Sequence, residues 1–291
     1  MKPFDYVAPA SLDDVLRLLA EHGEDATLLA GGQSLMILLR QGLVAPELLI
    51  GLKRVRPLAT IESRPDGLRL GSMVTYDAVT TSPAIAERLP VAARAAGSVG
   101  SVHIRNLGTV GGSLCHADPA GDIPTVLLTL DASFQTVRPD GGDARYPAGD
   151  FFRGLFETRL EPGELLAWID VPGQPDDATF GYQRFSFRHG EYPRAVAACR
   201  LSWQDGRCTD PRVAVGGGGL HPHRLADLER ALDGATAAEA LEAAGTGEPY
   251  RSLRPIADVR GSEQWKTRVV TKLIRETVAE AVGAGTDRAR S

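Results

Sequence analysis

Two short segments of this 291-residue sequence each combine a glycine pair with a serine. They are Ala30–Ser34, with the sequence AGGQS, and Thr109–Ser113, with the sequence TVGGS. A glycine pair lets the backbone turn and brings its N–H groups close to a ligand, because no Cβ stands in the way. Ser34 also begins a predicted helix, whose unpaired N–H groups and positive dipole end favour an anion. Each segment follows a predicted strand. If the two segments face each other, they can bracket a pyrophosphate.

The pattern alone does not name the ligand, since each glycine pair can instead form only a tight turn. The sequence has no GxGxxG after its first predicted strand and no GxxxxGK[ST], so it lacks both the Rossmann fingerprint and the P-loop. Asp118 and Asp122 follow the second pair. An ionised carboxylate here can accept hydrogen bonds from ribose or ribityl hydroxyls. Asp122 can equally cap a helix.

The cysteines and histidines predict no metal site and no catalytic residue in this chain. Cys115, Cys199 and Cys208 are an odd number without CxxC spacing, which excludes a disulfide framework and a four-thiolate cluster. His221 and His223 are the only close histidines, and the proline between them is typical of a loop. Any iron–sulfur cluster that works with this protein is therefore expected on a partner.

Composition argues against two classes of partner. The chain has 32 Lys and Arg against 37 Asp and Glu, a formal net charge of -5, and no basic run with interleaved aromatics. Nucleic acid binding is therefore not expected. No stretch approaches the ~18 apolar residues of a membrane span, and the first ten residues have no apolar core. We expect a cytoplasmic protein without a membrane span.

The hydrophobic pattern predicts an α+β chain of two domains. Residues 1–175 are expected to form one domain with lobes at about 1–56 and 57–175. Residues 178–284 are expected to form a small sheet covered by helices, and 285–291 a flexible tail. The predicted helices begin near Ser11, Ser34, Pro90, Asp122, Leu225 and Val269; the predicted strands lie at 27–29, 47–52, 68–70, 134–137, 165–171, 180–188, 195–203 and 212–215.

The two glycine segments lie within longer stretches that resemble the paired flavin signatures of one family, the medium subunits of carbon-monoxide and xanthine dehydrogenases. The first stretch is Ala30–Leu35, with Arg40 and Pro46–Ile50 behind it. The second runs from Ile104 to Pro124 in a fixed order of polar and glycine positions, which makes the resemblance specific. The similarity continues through Arg188–Glu191, Gly216–Arg224, Asp258–Ser262, Trp265 and Arg268, and covers the chain from Phe4 to about Ala281.

The resemblance implies a two-lobed FAD-binding domain of the vanillyl-alcohol-oxidase, or PCMH, type, followed by a small α+β C-terminal domain. It also implies an electron-relay subunit of a molybdenum hydroxylase. In that family the substrate is oxidised at a molybdopterin-type cofactor on a large subunit. Electrons then pass through [2Fe-2S] clusters on a small subunit and leave through FAD to a quinone, oxygen or NAD. A cytoplasmic dimer of heterotrimers is the expected assembly.

The resemblance also implies which residues contact FAD. Asp122 corresponds to the acid that binds FAD hydroxyls, and the main chain of Leu166 is expected near the flavin. Arg184 stands where many relatives have a lysine beside the isoalloxazine; it keeps the charge and changes the geometry. Glu191 stands where the family often has aspartate. The remaining expected contacts are Leu29, Ala30, Gly31, Gly32, Gln33, Ser34, Leu35, Arg105, Thr109, Gly111, Gly112, Ser113, Leu114 and Asp118.

Two other classes of protein fit parts of this pattern. A self-contained flavin oxidase or dehydrogenase of the same fold needs a substrate pocket over the flavin, usually under a larger cap than the short C-terminal segment offers. A non-enzymatic nucleotide-binding or scaffold protein needs only the glycine loops. Co-purification with iron and molybdenum partners distinguishes the relay from both.

Overall fold

The computed structural model describes residues 2–188, 190–246, 250, 252–259 and 261–288. Its first lobe is built on a three-stranded parallel sheet in the order β1-β3-β2. Ser11 begins the first helix by accepting a hydrogen bond from the N–H of Asp14, and Gly23 ends it, as predicted. The elements are β1 (Asp5–Val7), α1 (Leu12–His22), β2 (Ala26–Leu29), α2 (Leu35–Gln41) and β3 (Leu48–Gly51).

The second lobe is an antiparallel five-stranded sheet with helices packed against it. Its strands are β4 (Ile61–Arg64), β5 (Gly67–Gly71), β6 (Ser133–Val137), β7 (Asp143–Pro147) and β10 (Leu165–Pro172), in the order β4-β5-β10-β6-β7. Phe134 and Phe151 meet edge to face in its core, with ring centroids 4.8 Å apart. The helices are α3 (Tyr76–Thr81), α4 (Pro83–Arg88), α5 (Pro90–Ser98), α6 (Val102–Leu107), α7 (Val110–His116), α8 (Asp122–Thr129) and α9 (Ala148–Phe151), and a short hairpin adds β8 (Phe152–Gly154) and β9 (Glu157–Thr158).

The C-terminal part is a four-stranded antiparallel sheet in sequence order, packed against helices, which is the α+β arrangement that the sequence predicts. The long last helix lies so close to the first strand of this sheet that Gly181 has no room for a side chain. A Cβ there would lie 2.0 Å from the Thr277 carbonyl oxygen. The elements are β11 (Thr179–Phe185), β12 (Ala195–Gln204), β13 (Arg207–Gly216), β14 (His223–Arg224), α10 (Ala226–Leu232), α11 (Ala237–Gly245) and α12 (Glu263–Arg288).

One expectation from the sequence was wrong in the second lobe. The segment before the second glycine pair is not a strand, because Ser101 and Thr109 each cap a helix, α6 and α7. The second pair therefore lies in the first turn of α7. At the end of the chain, α12 continues through 285–288 of the expected flexible tail. Gly285 packs there against the Trp203 indole, and 289–291 lie outside the described residues.

Helix α8 joins the second lobe to the C-terminal sheet. All eight of its residues are buried. At its carboxyl end the Asp131 carboxylate accepts hydrogen bonds from Arg212 Nε at 2.8 Å and from Arg224 Nη1 at 2.9 Å, both on the C-terminal sheet. At its amino end, the Asp122 carboxylate accepts hydrogen bonds from Tyr182 and Arg184 of β11. The C-terminal sheet is thus held at both ends of one helix.

Among the described helices, none combines the length and the apolar character of a membrane-spanning segment.

The close approach of α12 to β11 predicts that Gly181→Ala lowers the free energy of unfolding by about 1–3 kcal/mol, because the added methyl must displace backbone. Gly283→Ala on the same helix is the matched control. A Cβ at Gly283 meets nothing within 4 Å, so the change should raise stability by about 0.8–1.0 kcal/mol through helix propensity. Urea unfolding of both variants checks this, and equal effects would contradict the packing argument.

Candidate cofactor site

The two glycine segments face each other across one cleft. A Cβ at Gly31 would lie 1.9 Å from the carbonyl oxygen of Leu107, and one at Gly112 would lie 3.6 Å from the Ala30 Cβ. The cleft between them has a volume of about 790 Å³. Small-molecule and cofactor sites occupy roughly 300–1,000 Å³, so this cleft can hold a large ligand. The two segments thus meet at one cleft, as the bracketing of a pyrophosphate requires.

The first loop offers a run of unused hydrogen-bond donors. The backbone N–H groups from Gly31 to Leu35 donate to no acceptor in the part of the chain that the structure describes. Gly32 adopts φ +73°, a left-handed conformation that favours glycine and lets the loop turn. Ser34 stands at the N-cap position of α2, but its side chain makes no capping hydrogen bond. Consecutive free N–H groups of this kind form a concave site for an anion.

The second loop differs from the first, and the expectation that both glycine segments offer backbone N–H groups to a ligand was wrong. All four backbone N–H groups from Val110 to Ser113 already donate to protein oxygens, at 2.9–3.1 Å. Thr109 accepts two of these bonds, one through its side chain. Glycine is needed at Gly111 for packing instead, since a Cβ there would lie 2.4 Å from the Ser72 Cβ. This loop is a close-packed wall of the cleft.

A buried ion pair closes the side of the cleft that faces the C-terminal sheet. The Asp122 Oδ1 atom accepts hydrogen bonds from the Tyr182 hydroxyl at 2.6 Å and from Arg184 Nε at 3.0 Å. Gly121, not Asp122, is the N-cap residue of α8, so the capping alternative is wrong. Burial raises the pKa of the Asp122 carboxyl, and the positive charge of Arg184 opposes that shift. Arg184 Nη2 also donates to the Glu191 carbonyl oxygen at 2.9 Å, which fixes the guanidinium at the cleft.

A segment of the C-terminal part, residues 190–193, covers the cleft. Within this segment, the Tyr192 hydroxyl lies 3.4 Å from Ser34 Oγ on the first loop. The segment follows β11, so the strand that holds Arg184 also carries this cover. His189, within one of the sequence signatures, lies outside the described residues.

Most residues that the sequence predicted for this site do line the cleft. They are Ala30, Gly31, Gly32, Gln33, Ser34, Leu35, Thr109, Gly111, Gly112, Ser113, Asp122, Leu166 and Arg184.

Four other predicted residues do not line it, each for a physical reason. Leu114 is fully buried in the core of the second lobe. The Arg105 guanidinium turns back to the carbonyl oxygens of residues 99 and 100. The Asp118 carboxylate accepts a hydrogen bond from the Ala120 N–H at 2.8 Å. Leu29 ends β2, and its side chain lies against Gly32.

Several residues that line the cleft were not predicted. Cys115 and His116 lie within the second signature and were passed over because that segment was not taken as a helix. Helical spacing places Leu114 on the buried face of α7 and its neighbours toward the cleft. Ser72 and Tyr76 come from the turn after β5 and from α3, and nothing near them in sequence indicates a ligand site.

Comparison with known families matches nearly the whole chain. Residues 2–174 match the family described as "FAD binding domain in molybdopterin dehydrogenase". Residues 180–281 match the "CO dehydrogenase flavoprotein C-terminal domain".

Curated relatives and solved structures agree with these matches. The nicotine 6-hydroxylase medium subunit of Paenarthrobacter nicotinovorans is 38% identical over 278 residues, 95% of this chain and 96% of that protein. The 6-hydroxypseudooxynicotine dehydrogenase complex subunit alpha of the same organism is 36% identical over 285 residues, 97% and 96%. The structure of quinoline 2-oxidoreductase from Pseudomonas putida 86 superposes with a TM-score of 0.90 at 33% identity, covering 98% of this chain and 99% of that one.

The contact between the two loops predicts that Gly31→Ala empties the site. The new methyl would meet backbone atoms of residues 107 and 108, so the first loop must move away from the cleft and its N–H groups lose their arrangement. We expect purified Gly31→Ala protein to contain far less flavin per chain, measured as the ratio of absorbance at the flavin and protein maxima. Gly149→Ala, where a Cβ meets nothing within 4 Å, is the control and should keep its flavin. Full flavin content in Gly31→Ala would contradict the loop assignment.

Proposed function

The chain belongs to the family of FAD-binding medium subunits of molybdenum hydroxylases, and we propose that it binds one FAD in the cleft and relays electrons to an external acceptor. The observation that carries this proposal is the run of five free backbone N–H groups from Gly31 to Leu35 at the edge of a cleft of about 790 Å³. A diphosphate is an anion with several acceptor oxygens and suits such a run. The two family matches, one of which includes this loop, agree with this assignment.

The other groups in the cleft fit the remaining parts of FAD. The Asp122 carboxylate uses Oδ1 for both of its protein partners, and among the described residues no donor reaches its Oδ2 atom. That oxygen can accept a hydrogen bond from a ribityl or ribose hydroxyl. Arg184 supplies a fixed positive charge, and Leu166 at the start of β10 lines the cleft, where its main chain is expected near the flavin.

When bound, FAD supplies the electron chemistry that side chains cannot. The protein binds and orients it. Arg184, held by Asp122 and by the carbonyl of Glu191, places a cation in the cleft without a mobile side chain. Residues 190–193 line the same region from the C-terminal part of the chain. No step of substrate oxidation is assigned to this chain.

The electrons are proposed to come from partner subunits. Cys115, Cys199 and Cys208 are free thiols, and among the described residues no group of three or more His, Cys, Asp or Glu is placed to hold a metal. We place the molybdopterin-type cofactor on a large subunit and [2Fe-2S] clusters on a small subunit, in a cytoplasmic dimer of heterotrimers. Within this chain, residues 1–175 form the proposed FAD domain and 178–284 the C-terminal domain.

Purification tests the proposal directly. Co-expressed with its neighbouring genes, the chain should elute as a yellow protein with two partners that contain iron and molybdenum. Alone it should bind FAD and show at most a diaphorase-like activity. A single yellow chain that oxidises an alcohol without partners would favour the self-contained oxidase, and a colourless chain that binds no FAD would exclude both.

The position of Arg184 predicts the redox behaviour of the flavin. Arg184→Met removes a cation beside the cofactor, so reduced flavin is less stabilised and the midpoint potential of the flavin should fall. Arg184→Lys keeps the charge and should change the potential less. Redox titration of the flavin absorbance measures both. Arg153→Met is the control for the loss of a distant charge, because Arg153 is the exposed residue of β8. Equal potentials in wild type and Arg184→Met would show that this residue is not near the ring.

A further inference from the structure

Ser72 carries a buried hydroxyl without a partner at the wall of the cleft. The residue is only 4% exposed, and its Oγ makes no hydrogen bond in the part of the chain that the structure describes. Its backbone is fixed, since its N–H donates to Ala167 and its carbonyl accepts from Gly111, both at 2.9 Å. Buried polar groups in native proteins are almost always hydrogen-bonded, so a hydroxyl left unpaired in the wall of a cleft is available to a ligand atom.

A second hydroxyl in the same wall is oriented by a tyrosine. The Tyr76 hydroxyl donates to Ser113 Oγ at 2.5 Å, and Tyr76 itself is 6% exposed. Burial raises the pKa of the Tyr76 phenol well above its ordinary value, so this group remains a donor. Because Tyr76 donates its proton to Ser113 Oγ, the proton of Ser113 is left for another acceptor. Ser113 lines the cleft.

These hydroxyls replace the backbone donors that the second wall lacks. The N–H groups from Val110 to Ser113 are all occupied within the protein. A ligand that lies between the two loops therefore meets free N–H groups on one side and free O–H groups on the other. Both kinds of donor suit ionised phosphate oxygens, which only accept hydrogen bonds.

We infer that Ser72 and Ser113 donate hydroxyl hydrogen bonds to the diphosphate of bound FAD, and that Tyr76 is a positioning residue that directs the Ser113 hydroxyl. This inference rests on the proposed binding of FAD in the cleft. It assigns the two walls different chemistry, with backbone donors from the first loop and side-chain donors from the second.

Equilibrium titration of deflavinated full-length protein tests the assignment, with FAD and with ADP as probes. ADP has the diphosphate and lacks the flavin. Ser72→Ala and Ser113→Ala should each weaken both ligands by a similar factor of about 10–100, the loss expected for a donor to an ionised acceptor. In the FAD-loaded protein, the ³¹P resonances of the diphosphate should also shift in each variant.

Tyr76→Phe should weaken FAD less than Ser113→Ala does, and should have no further effect when Ser113 is already alanine, because Tyr76 acts through Ser113. A merely structural role would give additive losses. The controls are matched in burial and lie away from the cleft. Ser202→Ala removes another buried, unpartnered serine hydroxyl, and Tyr250→Phe removes another buried phenol, so neither should change the affinity for FAD or ADP.

The outcomes separate this inference from the proposed function. If wild-type protein binds no FAD, the proposed function fails and this inference fails with it. If wild type binds FAD and the serine variants bind it equally well, only the inference is overturned. A loss of FAD affinity with unchanged ADP affinity would also overturn it, because the hydroxyls would then contact the flavin and not the diphosphate.

Discussion

The cleft depends on backbone contacts that leave no room for side chains. Gly31 lies against the carbonyl of Leu107, and Gly111 lies against Ser72, at separations that a Cβ would violate. The first of these contacts joins the first lobe to the helices of the second, and the other packs α7 against the end of β5 within the second lobe. They also set the width of the cleft, because the interior of a protein is close-packed and does not adjust easily.

Helix α8 connects the C-terminal sheet to the site. Its amino end holds Arg184 through Asp122, and just beyond its carboxyl end Asp131 binds arginines of β13 and β14. The carboxylate that faces the ligand is thus part of the interface between the two parts of the chain. A buried ion pair contributes little net stability, but it fixes geometry where both partners are held by further hydrogen bonds. Here it fixes the Arg184 guanidinium at the cleft.

Local signals in the sequence predicted the elements that local interactions determine. The cap at Ser11, the strand before Ala30 and the turn at Gly32 follow from residues close in sequence. The second glycine pair was assigned to the wrong element, because two glycines in a first helical turn conceal the helix that Thr109 caps. Ser72 and Tyr76 were missed because they reach the cleft through sheet pairing and helix packing, which no short pattern records. Family resemblance identified Asp122 and Arg184 but not their mutual ion pair.

The contact between Tyr192 and Ser34 has a kinetic consequence. It joins the C-terminal part to the first loop across the opening, while β11 anchors the same segment beside α8. A ligand that lies under this contact would have to pass Tyr192 to leave by this side of the cleft. Its dissociation rate would then depend on how often the contact between Tyr192 and Ser34 opens. Its affinity would depend on the hydrogen-bond donors of the first loop. The two quantities would therefore respond to different parts of the chain.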